Sequence, residues 1–260
     1  MCEFFAGNYT VQDLAPQFML GTIFSDTEVG GRLNDRLFGN DGNDTLWGNG
    51  GSDWLQGDAG NDYIYGGTGN DTILGGTGND FLDGNEGSDT MFGGDGNDRM
   101  LGGAPGFGPE IDTMYGGSGN DVMSGGNGND SLYGETGDDI LYGEYDNDYV
   151  SGGLGADVLF GGQGLDTLLG EAGDDRLYGE GEDDNLSGGD GADTLDGGTG
   201  ADILTGGFGN DIFYVDNAND QVVEQFDYDG GTDTAMSSIT TTLAANVENL
   251  TLTGSTAING

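Results

Sequence analysis

The stretch "GGTGNDTILGGTGNDFLDG", Gly66 to Gly84, repeats a glycine pair, a further glycine, an aspartate and an apolar residue at an interval of nine. Working outward from Asp71 and Asp80, the aspartate recurs at Asp62, Asp53, Asp44 and Asp35 on one side. On the other side it recurs at Asp89, Asp98, Asp112, Asp121, Asp130, Asp139, Asp148, Asp157, Asp166, Asp175, Asp184, Asp193, Asp202 and Asp211. Every step is nine residues except Asp98 to Asp112, which is fourteen. Two residues after each of the twenty aspartates stands an apolar side chain, from Leu37 to Phe213. An acid and an apolar residue held in phase this long exclude a glycine-rich linker and mark stacked repeats, none of which buries its apolar face alone.

The unit reads GGxGxDxUx, with U apolar, and a glycine opens every unit from Gly30 to Gly206. Over residues 30–214 this nonapeptide resembles the calcium-binding repeat of the RTX proteins. The resemblance implies an all-β fold: a right-handed parallel β-roll, a form of β-helix or solenoid, with two nonapeptides per coil and calcium in the turns. Segments such as "DYIYG" (Asp62–Gly66) and "DVLFG" (Asp157–Gly161) alternate as strands with U facing inward. A strand of about three residues is expected between tight turns.

Glycine loses more freedom on folding than any other residue, so its density needs a reason. At the first, second and fourth positions of the turn it permits backbone angles that let carbonyl oxygens converge, while the aspartate adds charge. Calcium takes about six to eight such hard oxygens in a forgiving geometry. With two units per coil, Asp35, Asp53, Asp71, Asp89, Asp112, Asp130, Asp148, Asp166, Asp184 and Asp202 fall in one column and the other ten in a second. As RTX rolls imply, each of the twenty is a candidate ligand bridging two ions, and nine gaps per column allow up to about eighteen Ca2+. The fourth position is Leu33, Asp146 or Glu182 in the units of Asp35, Asp148 and Asp184. Side chains resist positive φ there, and weaker sites are expected.

The 260 residues include 48 acidic and 4 basic side chains, for a net charge of -44. Nucleic acid and anionic membrane demand positive charge, so neither is an expected partner. Histidine is absent, which removes the commonest general base and zinc ligand. With neither HExxH nor GxSxG present, no catalytic residue is assigned and an enzyme is not expected. No run approaches the ~20 apolar residues of a membrane span, and the start "MCEFFAGNYTVQDLAPQFML" lacks the basic region of a Sec signal. Apolar residues make up 33 % of the chain, too little burial to offset the ordering of so much glycine, so bound cations must supply folding free energy.

Three segments are expected: a cap or lead-in over 1–29, with a helical turn over Asp13–Leu20; the repeat roll over 30–214; and a C-terminal flanking β-segment or cap over 215–260, truncated at "STAING". The five extra residues at 104–108, which include Phe107, read as a tolerated turn bulge. Outward aromatic residues, among them Trp47, Tyr65, Phe92 and Tyr115, read as cross-strand ladders. The RTX resemblance implies a secreted, extracellular destination reached by bacterial type I secretion. The functional expectation is a calcium-binding structural and interaction module whose partners are calcium ions, further copies of itself, or cell-surface and matrix polymers. The alternative is the calcium-dependent accessory and secretion module of a secreted protease, lipase, epimerase or toxin whose catalytic domain lies elsewhere.

Overall fold

The computed structural model describes residues 15–103, 110–224 and 231–253. The bulge expected at 104–108 lies outside the described residues. Every regular element among those described is a β-strand. Two compact units, 1–127 and 128–260, divide the chain.

In the first unit the residue two after each aspartate faces inward and is fully buried, from Leu37 to Met123. Inward residues alternate with exposed or half-buried ones, as in Thr72–Thr77, so each strand presents one apolar edge to the interior. Alternate strands pair in parallel: Arg36–Asp41, Trp54–Ala59, Thr72–Thr77, Thr90–Asp95 and Thr113–Ser118 lie in one sheet. Thr45–Gly50, Tyr63–Thr68, Phe81–Glu86, Arg99–Leu101 and Val122–Asn127 lie in the other. Leu55 sits beside Ile73 and Ile64 beside Leu82, an offset of 18 residues, so two nonapeptides make one coil. The parallel β-roll expected from the repeat is the observed fold. Beyond the inserted residues Met91 pairs with Met114 and Met100 with Met123, an offset of 23 that keeps every apolar residue inward.

The second unit repeats the plan. Ser131–Thr136, Tyr149–Leu154, Thr167–Ala172, Asn185–Asp190, Ile203–Phe208 and Gln221–Val223 form one parallel sheet. Ile140–Tyr145, Val158–Gln163, Arg176–Gly181, Thr194–Asp196, Ile212–Val215, Thr234–Ser237 and Asn249–Leu252 form its partner. The repeat phase loosens after Phe213: Phe213 pairs with Ala235 at an offset of 22, and Ala235 with Leu250 at 15.

Two expectations need correction. Most strands run six residues rather than three, because the ladder continues through the first two positions of the turn: Asp58 stays in register with Gly76 and Gly76 with Gly94, and just beyond the strand the Gly60 N–H donates to the Thr77 carbonyl. No helical turn forms over the described part of Asp13–Leu20. Phe18–Leu20 is a strand beside Arg36–Phe38, fixed by the Gln17 N–H on Asp35 Oδ1 and the Arg36 N–H on the Gln17 carbonyl. Long-range pairing overrides local preference there.

The outward aromatic ladders form as expected. Trp47 stacks on Tyr65 with ring centroids 3.9 Å apart, and Tyr142, Phe160 and Tyr178 stack in series at 4.9 and 5.0 Å.

Candidate metal centre

Each turn ends where its aspartate enters a strand, and all twenty aspartates are at most 4 % exposed. In the first unit Asp35, Asp53, Asp71, Asp89 and Asp112 stack in one row, and Asp44, Asp62, Asp80, Asp98 and Asp121 in the other. In the second unit the rows are Asp130, Asp148, Asp166, Asp184 and Asp202, and Asp139, Asp157, Asp175, Asp193 and Asp211. One link recurs throughout. Within each unit the backbone N–H of one aspartate donates to Oδ1 of the aspartate one coil further on, for example at 2.8 Å from Asp62 to Asp80.

Oδ1 is thereby committed to the backbone, and Oδ2 carries what remains. From Asp44 to Asp98, and again from Asp148 to Asp202, Oδ2 is buried without a hydrogen-bond donor. An ionised oxygen left this way is unfavourable. The first glycine of the unit explains its surroundings. A Cβ at Gly39 would collide with Asp44 Oδ2 and the Gly57 carbonyl oxygen; at Gly66, with Asp71 Oδ2 and the Gly84 carbonyl; at Gly170, with Asp175 Oδ2 and the Gly188 carbonyl. Carboxylate and carbonyl oxygens from consecutive coils therefore close on one point. Such a set of hard oxygens fits calcium, and the repeat glycine keeps the space clear for it.

The electrostatics agree. Burial pushes the Asp71 and Asp193 carboxyls up to about 7, against the lowering effect of the backbone N–H on Oδ1 and with the charge of stacked neighbours adding to the rise. Asp89, Asp148 and Asp184 reach about 8 for the same reasons in the same order. Rows of this kind hold their charge poorly unless a cation faces them.

The turns expected to be weaker differ among themselves. Asp35 Oδ2 accepts the Gly31 N–H at 2.6 Å, while Asp148 and Asp184 keep the buried, donor-free Oδ2 of their neighbours. Asp146 and Glu182 take φ of 70° at the fourth position.

Several features were missed by reading the repeat alone. The asparagine before the aspartate builds its own ladder: the Asn61 N–H donates to Asn43 Oδ1, Asn79 to Asn61 and Asn97 to Asn79. The recurring Asn-Asp pair was the available signal. Asp26, nine residues before Asp35, joins a row through its N–H on Asp44 Oδ1. At the other end the sequence does offer Asp216, Asp220 and Asp233 as extensions of the rows, and of these Asp220 accepts from Asp202 and Asp233 from Asp211. Asp211, Glu224 and Asp233 bring ligand atoms within 4.8 Å of one another; Glu224 stands 18 residues after Gly206, where a repeat glycine would fall.

Among the described residues no helix is long and apolar enough to cross a membrane. The family described as RTX calcium-binding nonapeptide repeat (4 copies) matches residues 29–64, 47–82, 74–104, 108–141, 124–159, 151–186, 160–195 and 187–222. No curated protein matches the chain.

Proposed function

The chain belongs to the RTX calcium-binding nonapeptide repeat family, and from that premise we propose that it is a secreted, extracellular structural and interaction module completed by calcium between stacked turns. The observation that carries this reading is the row of buried Oδ2 atoms, set against a glycine carbonyl of the next coil in turns such as those of Asp44, Asp71 and Asp175. The ligands are the twenty aspartates from Asp35 to Asp211 with the carbonyls of their turns, up to about eighteen ions in all. Calcium, when bound, supplies the positive charge that these rows lack and the folding free energy that a thin apolar core does not.

Residues 30–214 are the calcium-binding block, with 1–29 as lead-in and 215–260 as the flanking cap. The module is non-catalytic, and its partners beyond calcium are further copies of itself or polymers of a cell surface or matrix, met on the aromatic sheet faces. Cytosolic calcium is too scarce to fill sites built from carbonyls and shared carboxylates, which supports an extracellular role and type I secretion. As the accessory module of a secreted protease, lipase, epimerase or toxin the chain would use the same ions and would differ in needing a catalytic partner.

Calorimetric titration with calcium, followed in parallel by light scattering, tests the proposal. Many ions per chain, bound in the micromolar to millimolar range in preference to magnesium, are expected. Binding of only one or two ions, or indifference between the two metals, would contradict it.

A further inference from the structure

Glu28 holds the inward position that an apolar residue holds in all twenty repeats, two residues after Asp26, and it is 6 % exposed. A carboxylate buried there without a partner is strongly disfavoured. Its Oε2 has no hydrogen-bond donor.

The neighbouring turn explains why a second acid is present. Asp26 stands in phase with the repeat aspartates, but its Oδ2 is engaged: the Thr22 N–H donates to it at 2.6 Å and the Thr22 hydroxyl at 2.7 Å. Thr22 occupies a place that is Gly, Asn, Asp or Glu in the repeats. The carboxylate oxygen nearest to Gly21 is instead Glu28 Oε1, and the Gly39 carbonyl oxygen closes on the same glycine. One coil further on, Asp44 Oδ2 and the Gly57 carbonyl make the equivalent pair at Gly39, as do Asp53 Oδ2 and the Gly66 carbonyl at Gly48. Asp44, whose Oδ2 also lacks a donor, lies within electrostatic reach of Glu28.

We propose that Glu28 is the terminal cation ligand of this row: its carboxylate, in place of that of Asp26, joins the Gly39 carbonyl and Asp44 Oδ2 around a hard divalent cation. Carbonyl and carboxylate oxygens on a turn select calcium over magnesium, which demands a tighter octahedron and releases its water reluctantly. Glu28 lies just outside the residues that match the repeat family, so the site extends the calcium-binding rows by one turn. This inference rests on the calcium-binding reading of the repeat turns.

Crystals of the full chain grown in calcium and exchanged with terbium, an oxygen-seeking ion that scatters anomalously, resolve the sites one at a time. In the unsubstituted protein and in Asp26→Asn, an anomalous peak is expected between the Glu28 carboxylate and the Gly39 carbonyl. In Glu28→Leu, which restores the apolar residue of the repeat and so keeps the coil packed, that peak disappears while those between repeat turns persist. Glu28→Gln, the isosteric change that keeps one ligand oxygen and removes the charge, lowers the height of that peak. Repeat peaks without a Glu28 peak in the unsubstituted protein, or a peak that survives in Glu28→Leu, would overturn this inference alone. Absence of peaks from the repeat turns would overturn the calcium reading and this inference together.

Discussion

Asp80 shows what one repeat residue is asked to do. Its Oδ1 accepts the Asp62 N–H at 2.8 Å, and its Oδ2 is buried without a donor. Asparagine preserves the first role and abolishes the charge needed for the second. Asp80→Asn therefore weakens calcium binding and lowers the calcium-loaded melting point, by an amount equivalent to about 1–3 kcal/mol. In chelator the sign reverses, and the variant retains more strand signal than the unsubstituted chain, because a buried charge has been removed. Thermal melts by circular dichroism in both conditions check the pair of signs. The raised carboxyls extend the argument to pH. Asp71 and Asp193 near 7, and Asp89, Asp148 and Asp184 near 8, stand above the ordinary value of 3.8. Without cations the folded rows hold more protons than the unfolded chain between about pH 4 and pH 8. Their contribution is complete below that window and is lost as pH rises through it, so metal-free strand signal should be strong at low pH and fade toward pH 8. A metal-free roll that gains stability with rising pH would mean that these carboxylates have found other partners.

At the scale of the strand and turn, the second position of the unit carries a testable strain. Gly76 takes φ of 121° there, and Asn40 takes 71° at little penalty, but Glu135 is held at 72°. A long side chain in the left-handed region costs of order 1 kcal/mol. Glu135→Gly is expected to raise the calcium-loaded melting point by about that equivalent, whereas an unchanged or lower value would show that the Glu135 side chain offsets its own strain. The elements also show what the sequence made visible. The inward residues from Leu37 to Phe213 follow directly from a period of nine, and the two-unit coil with its stacked aspartates from the resemblance to RTX rolls. The six-residue strands do not, since a glycine pair reads as the end of a strand, and only the neighbouring coil supplies the pairing that carries the ladder through it. The coil built on Gln17 and Asp26 was hidden for a different reason. Glutamine replaces the marker aspartate at 17 and glutamate replaces the apolar residue at 28, although spacing and pairing continue unbroken. The commitment of Oδ1 to a backbone N–H along the rows was equally invisible, because it depends on the height of one coil over the next.

For the whole molecule the governing quantity is a net charge of -44. Much of it lies in rows whose members are buried beside their own kind. Among the described residues full apolar burial is confined to one inward residue in nine, with a few more after Phe213. Self-repulsion on this scale favours an expanded chain, and cations between the turns reverse that balance by binding the folded state alone. Folding and calcium binding are then a single event. Far-UV circular dichroism at pH 8, in excess chelator and then on addition of millimolar calcium, tests this most directly. The account predicts a disordered spectrum in chelator that converts to a β-rich one as calcium is added. A full β spectrum in chelator, with a melting temperature that calcium leaves unchanged, would contradict it.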